Sequence, residues 1–231
     1  MAVKHALLRA FGIVRRLERR DGNAVLLTFD DGPHPEVTEG VLDRLQRYGA
    51  RAVFFLVGNR IPRAPSVIPK ILAAGHVLGN HGFAHKKGRG PWLWPYLKDL
   101  KRCQQAIGEA AGQAPRLFRP PEGRISPASL LAPRFLGLRT VYWSIDSADW
   151  KLRHPEDALR CGEGLSRAVS SGDIILLHDD NPCVLPLLDV LLPVLAAKKW
   201  DLRGARSIFC TARGGERAHR DTPSAISVGR G

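Results

Sequence analysis

Long apolar runs are absent from this sequence of 231 residues. No segment approaches the ~20 consecutive apolar residues that a transmembrane helix needs, so no membrane span is predicted. The N-terminus also lacks an apolar core followed by an A-x-A site, and it therefore does not predict a secretory signal peptide. On these grounds we expect a cytoplasmic protein.

Cysteine is scarce, and the four cysteines, Cys103, Cys161, Cys183 and Cys210, form no CxxC pair. A chain of this length can bury a full hydrophobic core and does not need a disulfide framework. Isolated cysteines are also poor candidates for zinc ligands. We therefore expect reduced thiols with mostly structural roles.

Acidic residues are outnumbered, since 22 Asp and Glu face 35 Lys and Arg and the formal net charge is +13. Such a charge favours anionic partners such as acidic glycans, lipid headgroups or nucleic acid, or it simply marks a solvated, arginine-rich surface. No nucleic-acid-binding motif accompanies the charge, so we do not expect a nucleic-acid partner.

The two ends of the chain differ from the middle. Residues 1–22 contain six basic and two acidic residues, and a helix-like spacing joins Ala6, Leu7, Phe11, Val14 and Leu17. This pattern predicts a basic helical segment that either packs on the domain or lies on an anionic membrane surface. Residues 211–231 are rich in Gly, Arg and Ser without apolar periodicity, which predicts a disordered tail.

Between these ends, strand-like and helix-like patterns alternate. Short apolar runs typical of buried strands lie at residues 24–29, 52–57, 76–80, 116–120, 138–146, 173–179 and 207–210. Helical periodicity or helix-limiting Pro and Gly residues mark 36–48, 65–74, 92–111, a segment from 126, 155–170 and 184–198. Seven successive β–α units predict an α/β fold with parallel strands, whose closed form is a (β/α) barrel.

Polar residues follow the strands at their carboxyl ends. They are Asp30 and Asp31, His81 and His85, Arg119, Asp146, Asp149 and Trp150, and His178 and Asp179. In (β/α) folds the carboxyl ends of the strands share one edge, where catalytic groups gather. We therefore expect these side chains to form one site.

The residue types suggest a metal-assisted reaction. His81 and His85 are spaced i, i+4, and two imidazoles with one carboxylate and an open position form a catalytic zinc pattern. Of the pair Asp30 and Asp31, one could bind the metal while the other faces the reacting group. Each motif alone also has an ordinary explanation, such as Asp-Gly-Pro turn chemistry or chance histidine spacing.

Further along the chain, Arg119 could pair with a carboxylate in a fixed geometry. His178 can act as an acid or base near neutral pH. Asp149 could orient the imidazole of His178 and raise its pKa. Each could instead be an ordinary ion pair or a satisfied buried histidine.

These residues fall into five motifs that resemble the polysaccharide deacetylases with a NodB-homology domain, carbohydrate esterase family 4. The motifs are Thr28-Phe-Asp-Asp-Gly-Pro33, Gly79-Asn-His-Gly-Phe-Ala-His85, Phe118-Arg-Pro-Pro-Glu-Gly123, Asp146-Ser-Ala-Asp-Trp150 and Ile174-Ile-Leu-Leu-His178. All five occur in order, and the resemblance covers residues 24–210. It implies a single domain, a distorted (β/α)7-type barrel, over residues 23–210.

The resemblance also implies a function and a role for each site residue. It implies removal of N-acetyl groups from an amino-sugar glycan or glycolipid, with one divalent ion, Zn²⁺ before Co²⁺ or another ion. The metal ligands would be Asp31, His81 and His85. Asp30 would be the general base held by Arg119, and His178 the general acid tuned by Asp149. Glu122 would supply an oxyanion N–H, and Trp150 would flank the substrate.

Two residues depart from the pattern of this family. Gly82 stands where Ser or Thr is usual, which puts a loop-supporting hydroxyl contact in doubt. Glu122 stands where Tyr or Phe is common, and its negative side chain could alter substrate choice. The same residues would also serve an O-acetyl esterase, and a catalytically inactive glycan-binding protein is a further alternative.

Overall fold

The chain forms a curled sheet of parallel strands covered by helices. The computed structural model describes residues 11–18, 21–86, 92–203 and 208–209. Within these, the strands are β1 (Leu26–Asp30), β2 (Ala52–Leu56), β3 (Val77–Asn80), β4 (Leu117–Phe118), β5 (Arg139–Thr140), β6 (Ile145–Asp146) and β7 (Ile174–His178). The helices are α1 (Pro35–Arg47), α2 (Val67–Ala73), α3 (Leu93–Ala111), α4 (Pro127–Phe135), α5 (Pro155–Ala168) and α6 (Val184–Ala197).

The strands are ordered β5-β4-β3-β2-β1-β7-β6, and every neighbouring pair is parallel. This confirms the predicted fold class, a distorted (β/α)7 barrel. The barrel is open, because β5 and β6 lie at opposite edges of the sheet and do not pair. Three short 3-10 helices also occur in the described residues, at Gly58–Arg63, Pro121–Gly123 and Asp149–Lys151.

Alternation along β1 decides which side chains face the interior of the barrel. Leu27 and Phe29 belong to the large apolar cluster beneath the helices, while Leu26 belongs to the smaller inner cluster. Successive side chains of a strand point to opposite faces. Thr28 and Asp30 therefore lie on the inner face with Leu26. The carboxyl end of β1 thus delivers a carboxylate into the mouth of the barrel.

Two of the predicted strands are wrong in detail. The run 138–146 is split into β5 and β6, because residues 141–144 cross between the two sheet edges instead of continuing one ladder. The run 207–210 is not a seventh strand, since Ile208 and Phe209 are helical and pack in the inner cluster. A short apolar run does not distinguish a buried strand from a buried helical turn.

The predicted N-terminal helix is wrong for residues 11–18, whereas residues 1–10 lie outside the described part of the chain. Val14 forms an isolated parallel bridge with Val141 at the edge of β5. The N–H of Leu17 donates to the carbonyl of Gly172, just before β7. Residues 14–17 therefore cross the open side of the barrel. The predicted tail, 211–231, also lies outside the described residues.

Two further expectations concern membrane spans and thiols. No described helix combines the length and the hydropathy required to cross a bilayer. The three cysteines in the described residues, Cys103, Cys161 and Cys183, are free, and Cys103 is fully buried. The expectation of reduced thiols is met for these three.

Candidate active site

Three potential metal ligands converge beyond β1 and β3. The ligand atoms of Asp31, His81 and His85 all lie within 4.8 Å of one another. Oδ1 of Asp31 is 3.0 Å from Nε2 of His85 and 3.6 Å from Nε2 of His81. Asp31 has a left-handed backbone, with φ of 74°, directly after the strand ends. The structure therefore brings together the three residues predicted as ligands.

The hydrogen bonds of these residues fit a bound cation. Nδ1 of His81 lies 2.8 Å from the carbonyl oxygen of Arg119. A carbonyl can only accept, so Nδ1 carries the proton and Nε2 keeps a lone pair, as in many metal-bound histidines. Burial lowers the pKa of His81, which keeps the ring neutral. Oδ1 of Asp31 is buried and has no hydrogen-bond partner among the described residues.

Asp31 and His85 attract each other electrostatically. Burial would raise the pKa of Asp31, but the close contact with His85 and the nearby imidazoles hold it below its ordinary value. The same contact raises the pKa of His85 against the effect of its partial burial. Because only a neutral imidazole ligates a metal, binding of a cation here would displace the proton of His85.

Asp30, the second carboxylate of the pair, is held by Arg119. Its Oδ1 accepts a 2.8 Å hydrogen bond from Nη1 of Arg119, and both residues are buried. The other guanidinium hydrogen bonds of Arg119 go to Oγ1 of Thr28 and to the carbonyls of Val141 and Tyr142. With five donors in a planar fork, the guanidinium fixes the orientation of Asp30. Oδ2 of Asp30 remains on the cavity side, 3.6 Å from Nε2 of His81.

His178 ends β7 directly opposite Asp30 of β1 in the sheet register. Its Nδ1 lies 2.7 Å from Oδ1 of the fully buried Asp149, whose Oδ2 accepts from the N–H of His178. Burial lowers the pKa of His178, but the hydrogen bond and charge of Asp149 outweigh it and raise the pKa to about 9. The imidazole is therefore a protonated acid at neutral pH.

These groups surround a cavity of about 470 Å³. Its lining consists of Asp30, Asp31, His81, His85, Glu122, Gly123, Trp143, Asp146, Trp150, Leu176 and His178. Arg119 and Asp149 lie behind this lining, where they hold Asp30 and His178. Of the side chains expected from the sequence to form one site, all except Asp179 therefore lie in the cavity wall or directly behind it. Asp179 is fully buried outside the lining, where its carboxylate accepts a hydrogen bond from Oγ1 of Thr38.

The two departures from the family pattern have local structural consequences. Gly82 has φ of +82°, and a Cβ at this position would approach Oδ2 of Asp99 to 3.1 Å. The loop is held by Asp99 instead of a hydroxyl, since the carboxylate accepts from the N–H groups of Phe83 and Ala84. Glu122 has φ of 55°, and its side chain accepts from Nε of Arg124 at 2.9 Å.

Three lining residues were not predicted as site residues. Leu176 lies two residues before His178, so strand alternation could have placed it on the same face. Gly123 contacts Trp143 so closely that a Cβ would come within 2.4 Å of the indole ring. No local sequence signal marks Trp143, because it lies in the segment that crosses between β5 and β6.

Comparison with known proteins defines the class to which this fold and site belong. The sequence model of the polysaccharide deacetylase family matches residues 18–141. The chitooligosaccharide deacetylase of Azorhizobium caulinodans is 34% identical over 186 residues, 80% of this chain and 82% of that protein. The chain therefore belongs to the polysaccharide deacetylase family.

Two further relatives support this membership. The solved structure of a peptidoglycan N-acetylglucosamine deacetylase, Bc1960, has a TM-score of 0.81 and 27% identity, covering 90% of this chain and 97% of that one. The peptidoglycan-N-acetylglucosamine deacetylase PgdA of Listeria monocytogenes is 29% identical over 177 residues. That match covers 77% of this chain but only 37% of the Listeria protein.

Proposed function

We propose that this protein is a metal-dependent hydrolase that removes N-acetyl groups from an amino-sugar glycan. The observation that carries the proposal is the convergence of Asp31, His81 and His85 beside a second carboxylate, Asp30, that is not among the three. The relatives are named as deacetylases of chitooligosaccharide and of peptidoglycan N-acetylglucosamine, which supports this substrate class. The substrate would be an acetylated glycan or glycolipid.

The divalent ion would be held by Asp31, His81 and His85. Two imidazole nitrogens and one carboxylate oxygen are a donor set that suits Zn²⁺. The bound ion would polarise the amide carbonyl and lower the pKa of a water molecule. Two atoms support this assignment: the buried Oδ1 of Asp31, which accepts no well-aligned hydrogen bond although Nε2 of His85 lies 3.0 Å away, and Nε2 of His81, which keeps a lone pair.

The residues around this position divide the proton transfers between them. Asp30 accepts the proton of the attacking water, because Arg119 fixes Oδ1 and leaves Oδ2 on the cavity side. His178 donates a proton to the departing amine, because Asp149 keeps its imidazole protonated. The N–H of Glu122 would stabilise the oxyanion, and Trp150 and Leu176 would border the acetyl-bearing sugar.

The test is acetate release from N-acetylglucosamine oligomers and from acetylated xylan, with products identified by mass spectrometry. We expect the zinc-loaded protein to convert the oligomers to free amines. His81→Ala should lose bound zinc and more activity than the ~10²–10³-fold loss typical of removing one oxyanion donor. Asp30→Asn should be as damaging as His81→Ala, and Arg119→Ala should be intermediate.

His154→Ala is a matched control, because His154 is exposed at the N-cap of α5 and its side chain makes no capping hydrogen bond. It should retain both zinc and activity. Release of acetate from xylan alone would reassign the protein as an O-acetyl esterase. Undiminished activity in His81→Ala, or a protein that binds no ion and releases no acetate, would contradict the proposal.

A further inference from the structure

The N-terminal end of α3 carries exposed tryptophan and lysine side chains. Trp92 and Trp94 are 72% and 76% exposed, although indole rings are largely buried in most proteins. Lys86 and Lys98, which flank the two tryptophans in the sequence, are also exposed to solvent. We call these four residues the α3 patch. None of the four lines the cavity of the candidate active site.

The α3 patch lies at the same edge of the sheet as the cavity. Asp99, in the second turn of α3, accepts hydrogen bonds from the N–H groups of Phe83 and Ala84, which precede His85. Trp94 is five residues before Asp99, which corresponds to about 7.5 Å along the helix axis toward the N-terminal end. The backbone that carries the exposed rings therefore lies within about two helical turns of the point where α3 contacts the loop of the histidine ligands.

The charge around the exposed rings is positive. From Lys86 to Lys98 the sequence contains four basic residues and no acidic one. The exposed side chains of Lys101 and Arg102 continue this charge along α3, whereas Asp99 is buried. The first turn of α3 has no acidic residue, so nothing in it offsets the positive end of the helix dipole.

We propose that the α3 patch docks on an anionic lipid surface. Tryptophan is the residue that membrane–water interfaces favour, and basic side chains are drawn to anionic headgroups. A neutral sugar would explain exposed rings beside the cavity, but it would gain little from the exposed charges of Lys86 and Lys98. Charge complementarity therefore favours a lipid surface. If the proposed function also holds, the enzyme would work on glycans presented at that surface.

The test is co-sedimentation of the full-length protein with vesicles of phosphatidylcholine, alone or mixed with phosphatidylglycerol. We expect binding only to the mixed vesicles, and binding that weakens as salt is added. Lys98→Gln should lower the partition coefficient about fivefold, since one basic residue near such a surface contributes about that factor. Trp92→Ser combined with Trp94→Ser should lower it about tenfold through the lost apolar contact.

Two control variants remove similar side chains elsewhere. Phe135→Ser removes a ring that is 68% exposed at the end of α4, and Arg47→Gln removes an exposed charge at the end of α1. Both should bind mixed vesicles like the wild-type protein. The patch variants should keep wild-type circular dichroism and turnover of soluble oligomers, which separates docking from folding and from catalysis.

Three results would overturn the proposal. The first is equal binding to both kinds of vesicle. The second is wild-type binding by the patch variants, which would assign any docking to another basic segment, such as residues 1–10. The third is unchanged vesicle binding with impaired turnover of soluble oligomers, which would make Trp92 and Trp94 part of a glycan-binding surface. Failure of the proposed function would leave the binding data unaffected.

Discussion

Replacing Asp149 with Asn should move the titration of His178 without removing the imidazole. Asp149 is fully buried and contacts His178 twice, through Nδ1 at 2.7 Å and through the backbone N–H at 2.8 Å. Asn can still accept the backbone hydrogen bond, but it carries no charge. The pKa of His178, about 9 in the native site, should therefore fall toward the ordinary value of 6.5.

The size of this effect follows from the shift. A change from about 9 to about 6.5 corresponds to about 3 kcal/mol of lost preference for the imidazolium. If the protonated form is the catalytic acid, the active fraction falls about tenfold at pH 7.5 and about seventyfold at pH 8.5. The alkaline limb of the pH–rate profile should therefore move to lower pH. The raised pKa of His178 keeps the imidazole protonated at higher pH in the wild-type protein, and Asp149→Asn removes this effect.

The assay is the pH dependence of kcat with N-acetylglucosamine oligomers, together with NMR titration of the His178 ring in the same zinc-loaded protein. Ser147→Ala is the matched control, because it removes the 2.9 Å hydrogen bond from Ser147 to Oδ1 of Asp149 and the one that Oγ of Ser147 accepts from the N–H of Asp149, but keeps the carboxylate. Its alkaline limb should stay close to that of the wild-type protein. An unmoved limb in Asp149→Asn, with a normal NMR spectrum, would refute the assignment of His178 as the tuned acid.

Two further predictions concern stability. Arg119→Met should lower the free energy of unfolding in urea by about 3–5 kcal/mol, because the buried carboxylate of Asp30 loses its partner. Adding Asp30→Asn should restore part of this loss. If the effects of the two substitutions on the free energy of unfolding simply add, this account is contradicted. Burial, with a contribution from Arg51, lowers the pKa of His76 to about 4 from the ordinary 6.5. The unfolded chain therefore binds the proton first, so stability is complete above pH 6.5 and falls as the pH drops toward 4. His76→Gln, which cannot titrate, should reduce the slope of unfolding free energy against pH in this window by up to about 1.4 kcal/mol per unit, and an unchanged slope would show that another group is responsible.

The sequence predicts the site better than the edges of the sheet. Asp30 and His178 end buried strands, and these strands are recognisable from runs of four consecutive apolar residues at 24–27 and 174–177. Because parallel strands end at a common edge, the positions of these motifs along the chain were enough to bring them together. The roles assigned to the individual residues remain predictions that the proposed variants test.

The features that were missed depend on tertiary contacts. β5 and β6 contain two residues each, and the register of so short a strand is determined by its neighbours and not by local propensity. Trp143 reaches the cavity only because residues 141–144 cross between the sheet edges. Helical spacing around Val14 was a misleading signal, since this residue forms a bridge with the edge of β5.

Residues 14–17 cross the open side of the barrel, and this limits where the N-terminus of the protein can be shortened. The carbonyl of Val14 accepts from the N–H of Tyr142, and the carbonyl of Tyr142 accepts from Arg119, which orients Asp30. A truncated protein that begins after residue 18 would lack Val14. The backbone N–H of Tyr142, at the edge of the sheet, would then lose its hydrogen-bond acceptor. Purification tags are best attached upstream of residue 11, so that the hydrogen bonds that connect Val14, through Tyr142, to Arg119 and Asp30 are left intact.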